Sequence, residues 1–376
     1  MIFAGGGSAG HVYPALVLAQ EILKRKSGAQ ISFVGTKSGL EATLVPKAGF
    51  HLETLPVAGL LRMGRLSQMK TLVIMPLAFL KCILILLRTR PHIVLGMGGF
   101  AAGPFVLVSS FFVKKTFIWE PNAHPGFTNR LLSHFVSRAF VVFDAARSLL
   151  HSRTIVTAGL PLRSEMKYQA RPSGQPFRVL VFGGSQGARP INRAMVEVYQ
   201  RSDLRLKGVE FVHQTGRLDF VEVSEKLKGV EGVRVLEYID SMADFYAWAD
   251  LVICRGGVGT VSEVIACQKA AVVIPLPTAA ENHQQANAAV LVRAGAGKMI
   301  LQRDLTADCL IETLAELRNN PNLIASIEKA TVSLQNPNGA SKIVDCLLSG
   351  EAPEGTAEEN PKENREKDPK EKVSSR

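Results

Sequence analysis

The sequence predicts an α/β protein: two Rossmann-like domains in series, each built on a doubly wound parallel sheet. Three observations predict it. Short apolar runs alternate with longer amphipathic ones along the chain, the signature of repeated βα units. Four strand-to-helix junctions are rich in glycine, two in each half. The second half also restarts as the first begins, with a strand, a Gly-Gly loop and a helix. A length of 376 residues suits two domains, at roughly 100–200 residues each.

The first half opens on the short strand Ile2-Phe3-Ala4, with neither the basic region nor the cleavage site of a secretory signal ahead of it. So short a first strand suggests a start a few residues upstream. Further strands are expected at 30–34, 92–95, 116–119 and 139–143. The Pro-, Gly- and Ser-rich segment 159–176 reads as the interdomain connection. Strands at 178–182, 210–213, 233–236, 251–254 and 271–274 follow, then an amphipathic terminal helix over 340–348. Residues 350–376 are polar and nearly devoid of apolar side chains, so a disordered tail is expected.

The whole chain carries +11, although its last 26 residues, 351–376, hold eight acids against six bases. The excess of bases lies mainly in one stretch. From Thr54 to Trp119 there is no Asp or Glu, while Arg62, Arg65, Lys70, Lys81, Arg88, Arg90, Lys114 and Lys115 all fall there. These bases bracket the 17-residue apolar run 71–87. A membrane span needs about 20 predominantly apolar residues, and this run contains Pro76 and Lys81, so a span is disfavoured. A buried helix accounts for the run but not for the missing acids. A helix lying on an anionic membrane surface accounts for both. Nucleic acid is the other partner of a basic patch, but the stretch has few aromatics and no nucleic-acid motif. The five cysteines are scattered, with no CxxC pair, which excludes a disulfide scaffold and a zinc site.

The four loops are GGGSAGH at 5–11, GMGGF at 96–100, GGSQG at 183–187 and RGGVGT at 255–260. Such loops let the backbone approach a ligand, and the helix that follows offers free N–H groups to a phosphate. A single loop is more simply a tight turn, whereas four point to ligand binding at the carboxyl ends of the sheets. The first also fits the dinucleotide fingerprint, which wants an acid at the end of the second strand. Here that strand runs into Gly35-Thr36-Lys37. NAD is disfavoured, but Lys37 suits a 2′-phosphate, so an NADP enzyme stays a rival. No P-loop is present. His11, directly after the first loop, is a candidate general base. In the fourth loop Arg255 suits phosphates and Glu263 a ribose diol, and Gln284, Gln285 and Asn287 suit sugar hydroxyls. Without an Asp-x-Asp, no metal and no cofactor is expected, and helix N-termini would stabilise a pyrophosphate leaving group.

Taken together, GGGSAGHVYPA at 5–15, VLGMGGFAAGP at 94–104, EPNAHPGFTNR at 120–130, GGSQGA at 183–188, YAWADLVICRGGVGTVSE at 246–263 and HQQANA at 283–288 resemble the MurG family of peptidoglycan N-acetylglucosaminyltransferases. The resemblance covers about 1–348, in order. It implies a GT-B fold with an acceptor- and membrane-facing domain at 1–161, a UDP-sugar-binding domain at 162–335 and a helix at about 336–349 returning to the first. It implies inverting transfer of N-acetylglucosamine from UDP-N-acetylglucosamine to the undecaprenyl-linked acceptor lipid I, giving lipid II, on the cytoplasmic face of the inner membrane. His11 is the implied base, with Glu120 as second choice. Donor contacts are implied for Gly7, Ser8, Ala9, Asn122, Arg163, Ser185, Ile239, Arg255, Gly257, Val258, Gly259, Thr260, Glu263, Gln284 and Gln285. Acceptor contacts are implied for Ser8, His11, Phe100, Glu120, Asn122 and Asn129. Trp119, Phe100, Leu160 and Gly257 depart from the usual His, Tyr, Asn and Ser of the family. The alternatives are another membrane-associated GT-B transferase with a lipid acceptor, such as a diacylglycerol glucosyltransferase, and a non-enzymatic scaffold that binds a nucleotide sugar.

Overall fold

The computed structural model describes residues 1–57, 65–99, 101–170, 176–336, 338–349 and 357–359. They form two compact units. The first comprises Met1–Pro121, Pro125–Pro161 and Asn338–Arg376; the second comprises Asn122–His124 and Leu162–Pro337.

In the first unit β1 (Ile2–Gly5), β2 (Ser32–Gly35), β3 (His51–Thr54), β4 (Ile93–Gly98), β5 (Lys115–Glu120), β6 (Arg138–Val141) and β7 (Thr154–Thr157) pair in parallel. Their order is β7-β6-β5-β4-β1-β2-β3. The central strands β4 and β5 are almost wholly buried, as continuous apolar runs in a parallel sheet must be. The edge strand β3 reads HLET and has no apolar run to announce it. At the other edge β7 has a partner. Within the tail expected to be disordered, Ala357–Glu359 forms β14, antiparallel to β7. Strand β7 would otherwise offer a row of unpaired backbone groups, and a short polar strand satisfies them.

Helices α1 (Ala9–Arg25), α2 (Glu41–Lys47), α3 (Arg65–Thr89), α4 (Ala102–Phe112) and α5 (Phe127–Leu132) follow β1 to β5. The apolar run 71–87 lies inside α3, whose two faces differ. Ala78, Cys82, Ile85 and Leu86 are buried in the unit's core with Phe105 and Val106 of α4. Leu77, Leu80, Leu84 and Leu87 form an opposite stripe, each more than half exposed. Phe111 and Phe112, at the end of α4, are exposed as well. Among the described residues no helix is long and apolar enough to cross a membrane.

The terminal helix α13 (Gly339–Ser349) packs on α1, where Arg25 pairs with Glu21 and Asp345 and donates to Ser341. A Cβ on Gly339 would lie 2.4 Å from the Ala158 carbonyl oxygen just past β7. The second unit holds β8 (Arg178–Phe182), β9 (Glu210–Gln214), β10 (Val233–Leu236), β11 (Leu251–Cys254), β12 (Ala270–Val273) and β13 (Lys298–Met299), all parallel, in the order β10-β9-β8-β11-β12-β13. Helices α6 (Arg189–Arg201), α7 (Phe220–Lys226), α8 (Met242–Trp248), α9 (Val258–Ala266), α10 (His283–Arg293), α11 (Ala307–Asn319) and α12 (Pro321–Val332) cover it. Val179, Val181, Ile253 and Val272 share its core with Met195 of α6 and Leu310 and Leu314 of α11.

The contact at Gly339 fixes where α13 begins. Gly339→Ala forces the helix start away from Ala158, and overpacking of this kind costs about 1–3 kcal/mol. A fall in thermal midpoint, with the second unit's melting unchanged, is expected in calorimetry; an unchanged midpoint contradicts the tight docking.

Candidate functional site

In the first unit the glycine loops after β1 and β4 pack on each other. The Gly6 N–H donates to the Gly98 carbonyl at 3.2 Å. A Cβ on Gly99 would lie 2.3 Å from the Gly6 oxygen, and one on Gly98 would lie 2.9 Å from His11 Nε2. These glycines therefore serve loop-to-loop contact. Gly7 instead has open space beside it, and Ser8 and His11 flank that opening. His11 Nδ1 lies 3.1 Å from the Gly6 oxygen and 3.1 Å from Ser8 Oγ. Ala9 begins α1. Phe100 lies outside the described residues.

A residue absent from the sequence reading sits beneath this loop. Glu41, the first residue of α2, is 1% exposed. Its Oε2 accepts from the Gly7 N–H at 2.6 Å, and its Oε1 accepts from the Thr36 N–H and Oγ, each at 2.8 Å. Burial pushes this carboxyl up, but the hydrogen bonds from Gly7 and Thr36 outweigh it, and the group is held below the usual range. An N–H that a dinucleotide would need is thus committed to an internal carboxylate.

Glu120 and Asn129 come together and are both buried. Glu120 Oε2 accepts from the Gly126 N–H at 3.2 Å and from Asn129 Nδ2 at 2.9 Å, and Asn129 Nδ2 also donates to the Trp119 carbonyl at 3.1 Å. The pair shapes the 121–126 turn.

In the second unit the loop after β8 carries an exposed Ser185, with open space beside Gly184. A buried polar chain supports this loop. Asn192 donates to the Thr215 carbonyl and to Asp219, each at 2.9 Å, and accepts from His213 Nε2 at 3.0 Å. Burial pushes His213 down to about 3, so it stays neutral. The loop after β11 enters α9, and no acid lies in that helix's first turn. Gly257, Val258, Gly259 and Thr260 are half-buried, and nothing crowds Gly259.

One turn further on, Glu263 accepts from the Tyr246 hydroxyl at 3.0 Å. Burial raises its pKa, opposed by the Tyr246 hydrogen bond and by the charge of Arg163, itself exposed. Arg255 is turned inward. It is 6% exposed and donates to the Ile274 and Pro275 carbonyls at 3.1 and 3.2 Å and to Gln302 at 2.7 Å. Burial lowers its pKa. Ile239 is buried just beyond β10. Gln284 accepts from the Leu276 N–H at 3.0 Å, and Gln285 is exposed. Asn287 is 0% exposed: it accepts from the Ala123 N–H at 2.9 Å and donates to Asn122 Oδ1 and the Gly256 carbonyl, each at 3.2 Å. Asn287 thereby ties 122–124 to the fourth glycine loop, a role its position in HQQANA did not reveal.

Two parallel-sheet α/β units with glycine loops at strand carboxyl ends are the architecture of the GT-B fold. Residues 1–141 match the glycosyltransferase family 28 N-terminal domain, and residues 178–345 match its C-terminal domain. A Myxococcus xanthus protein described as UDP-N-acetylglucosamine–N-acetylmuramyl-(pentapeptide) pyrophosphoryl-undecaprenol N-acetylglucosamine transferase is 39% identical, over 93% of this chain and 92% of its own. An Anaeromyxobacter sp. (strain K) protein of the same description is 41% identical, over 93% and 92%. The crystal structure of Acinetobacter baumannii MurG superposes with a TM-score of 0.78 at 27% identity, covering 93% of this chain and 99% of that one. The chain belongs to the MurG family of GT-B glycosyltransferases.

Two outcomes follow from these buried groups. Asn287→Ala leaves the Ala123 N–H without its acceptor, so a loss of about 1–3 kcal/mol is expected by denaturant unfolding; no loss contradicts the role assigned to Asn287. The depressed pKa of Glu41 makes its ion stabilising above the ordinary carboxylate range, a contribution lost as pH falls through the lowered folded-state value. The difference in thermal midpoint between wild type and Glu41→Gln is therefore widest at neutral pH and closes on acidification. A difference independent of pH contradicts an ionised Glu41.

Proposed function

We propose that this chain transfers N-acetylglucosamine, with inversion, from UDP-N-acetylglucosamine to the undecaprenyl-pyrophosphoryl-N-acetylmuramyl-pentapeptide acceptor, lipid I. The observation that carries the reading is the start of α9. An open glycine turn free of acids leads into the helix, and one turn later comes a half-buried carboxylate held by Tyr246. The N–H groups of Val258–Thr260 receive the diphosphate, and Glu263 receives the ribose diol, with Tyr246 fixing Oε2. Ile239 meets the uracil through its backbone, Ser185 lies by the pyrophosphate, and Gln284 and Gln285 read the sugar. Arg255 acts indirectly, by holding the Ile274–Pro275 backbone.

The first unit takes the acceptor. The Gly6 oxygen can only accept, so His11 carries its proton on Nδ1 and its lone pair on Nε2. Nε2 removes the proton of a muramyl hydroxyl as that oxygen attacks the anomeric carbon. The donor's C–O bond breaks, UDP leaves, and the negative charge on its diphosphate is met by fixed N–H groups. Glu120, buried and occupied by Gly126 and Asn129, shapes the turn and leaves the base role to His11.

Radiolabelled UDP-N-acetylglucosamine incubated with a lipid I analogue tests the reading. Label on the muramyl sugar is expected. Label only on diacylglycerol, or nucleotide binding without transfer, overturns it. His11→Ala should lower kcat by roughly 10²–10⁴-fold while UDP affinity holds; a loss confined to acceptor KM makes His11 a binding residue.

The enzyme works from the cytoplasmic face of the membrane that holds its acceptor. The stripe Leu77, Leu80, Leu84 and Leu87 enters the interface, and the bases of the acid-free stretch meet anionic lipid. In flotation assays the protein should rise with anionic vesicles, less so at high salt, and Leu80→Asp with Leu84→Asp should abolish flotation. Flotation indifferent to lipid charge, salt and these substitutions contradicts this surface.

A further inference from the structure

Glu41 lies outside the machinery just described, yet the first unit is built around its carboxylate. A Cβ on Gly6 would come within 2.1 Å of it, and a Cβ on Gly39 likewise within 2.1 Å; one on Gly35 would lie 2.5 Å from its Cγ. Three glycines, one in the first loop and two in the passage from β2 to α2, thus give up side chains to seat one carboxylate, which is then bonded by Gly7 and by two donors of Thr36. Such a cradle does more than start a helix, since the Gly7 and Thr36 donors it gathers both lie outside α2.

We propose that Glu41 is a positioning residue for the transfer step, acting on His11 through the main chain of the first glycine loop. The path runs over four residues. Glu41 Oε2 holds the Gly7 N–H, which fixes the peptide that carries the Gly6 carbonyl. The Gly6 N–H, in the preceding peptide, is tied to Gly98, so Gly6 is held on both its flanks. Its carbonyl oxygen accepts from His11 Nδ1, which selects the tautomer with the lone pair on Nε2 and sets the plane of the ring. Gly98 leaves room for that ring at Nε2. With the Glu41 bond removed, the Gly6–Gly7 peptide can turn, and the carbonyl no longer dictates which ring nitrogen keeps the proton. The same bond makes the loop hostile to a nucleotide diphosphate, because it consumes the Gly7 N–H and places an anion beneath it. Glu41 thus confines the donor to the second unit while tuning the acceptor side.

The inference rests on His11 being the base, and its test separates the two claims. Glu41→Gln keeps the volume, but its amide can face Gly7 only by setting a donor against a donor if its oxygen stays on Thr36. In transfer assays Glu41→Gln should lower kcat by about 10²-fold, the scale of a small misplacement of a reacting group. UDP affinity by calorimetry should be unchanged, and the acidic limb of the kcat–pH profile should move. The double variant with His11→Ala should lose no more than His11→Ala alone, because the two residues act as one unit. Nitrogen-15 NMR of the imidazole should report Nδ1–H in the wild type and a mixture of tautomers in Glu41→Gln.

Full activity of Glu41→Gln, or losses that multiply in the double variant, overturns the proposal while leaving His11 as base. An unaffected His11→Ala overturns the base assignment itself. If Glu41→Gln fails to fold, Thr36→Val removes one of the three bonds; a smaller fall in kcat with the same shift of the acidic limb is expected, and an unmoved profile overturns the proposal.

Discussion

Parallel pairing of the strands is the constraint on which the rest of this structure depends. It runs through β1 to β7 and through β8 to β13. It sends each strand-to-helix turn to the carboxyl edge of its own sheet, where helix N-termini leave N–H groups without internal partners. In each unit the turns after neighbouring strands must then pack side by side. The close approaches of Gly99 to Gly6 and of Gly187 to Thr215 are the result. Open space is left at the few loop positions that this packing does not consume, beside Gly7, Gly184 and Gly259.

Buried polar groups hold these turns in place. Glu41, Glu120, Arg255 and Asn287 each bond backbone atoms of a turn. A buried group of this kind is costly to leave unpaired, so each fixes one geometry of its loop. The cost falls on versatility. Arg255 spends its guanidinium on Ile274, Pro275 and Gln302, and Glu41 spends the Gly7 N–H. The two units share one design, with opposite electrostatic outcomes. A carboxylate lies under the first loop, whereas the first turn of α9 carries no acid.

Much of this was legible in the sequence, and the gaps have physical causes. The strands expected at 178–182, 233–236 and 251–254 coincide with β8, β10 and β11: β8 and β11 are buried apolar runs that lead into glycine loops, and the edge strand β10 is an apolar run broken only by an exposed Arg234. Strands β3, β7 and β13 escaped notice: the first is polar and at an edge, the second is four residues long with only Ile155 and Val156 apolar, and the third has only two residues. Glycine loops marked the carboxyl edges of the sheets, but spacing could not say which glycines face open space and which face another loop. Glu41 was invisible for a related reason: the N–H it serves lies 34 residues earlier in the chain. The search for an acid stopped at the end of β2, where a dinucleotide enzyme would keep one. The leucine stripe of α3 was hidden inside an apolar run, since periodicity does not show which side of a wholly apolar helix is covered.

A crystal structure of the protein with UDP-N-acetylglucosamine bound decides which glycine loop takes the diphosphate. It should place the diphosphate on the backbone of Val258–Thr260 and the ribose diol within hydrogen-bonding distance of Glu263, with the Gly7 N–H still donating to Glu41. A diphosphate seated on the first glycine loop, with Glu41 displaced from Gly7, would contradict it.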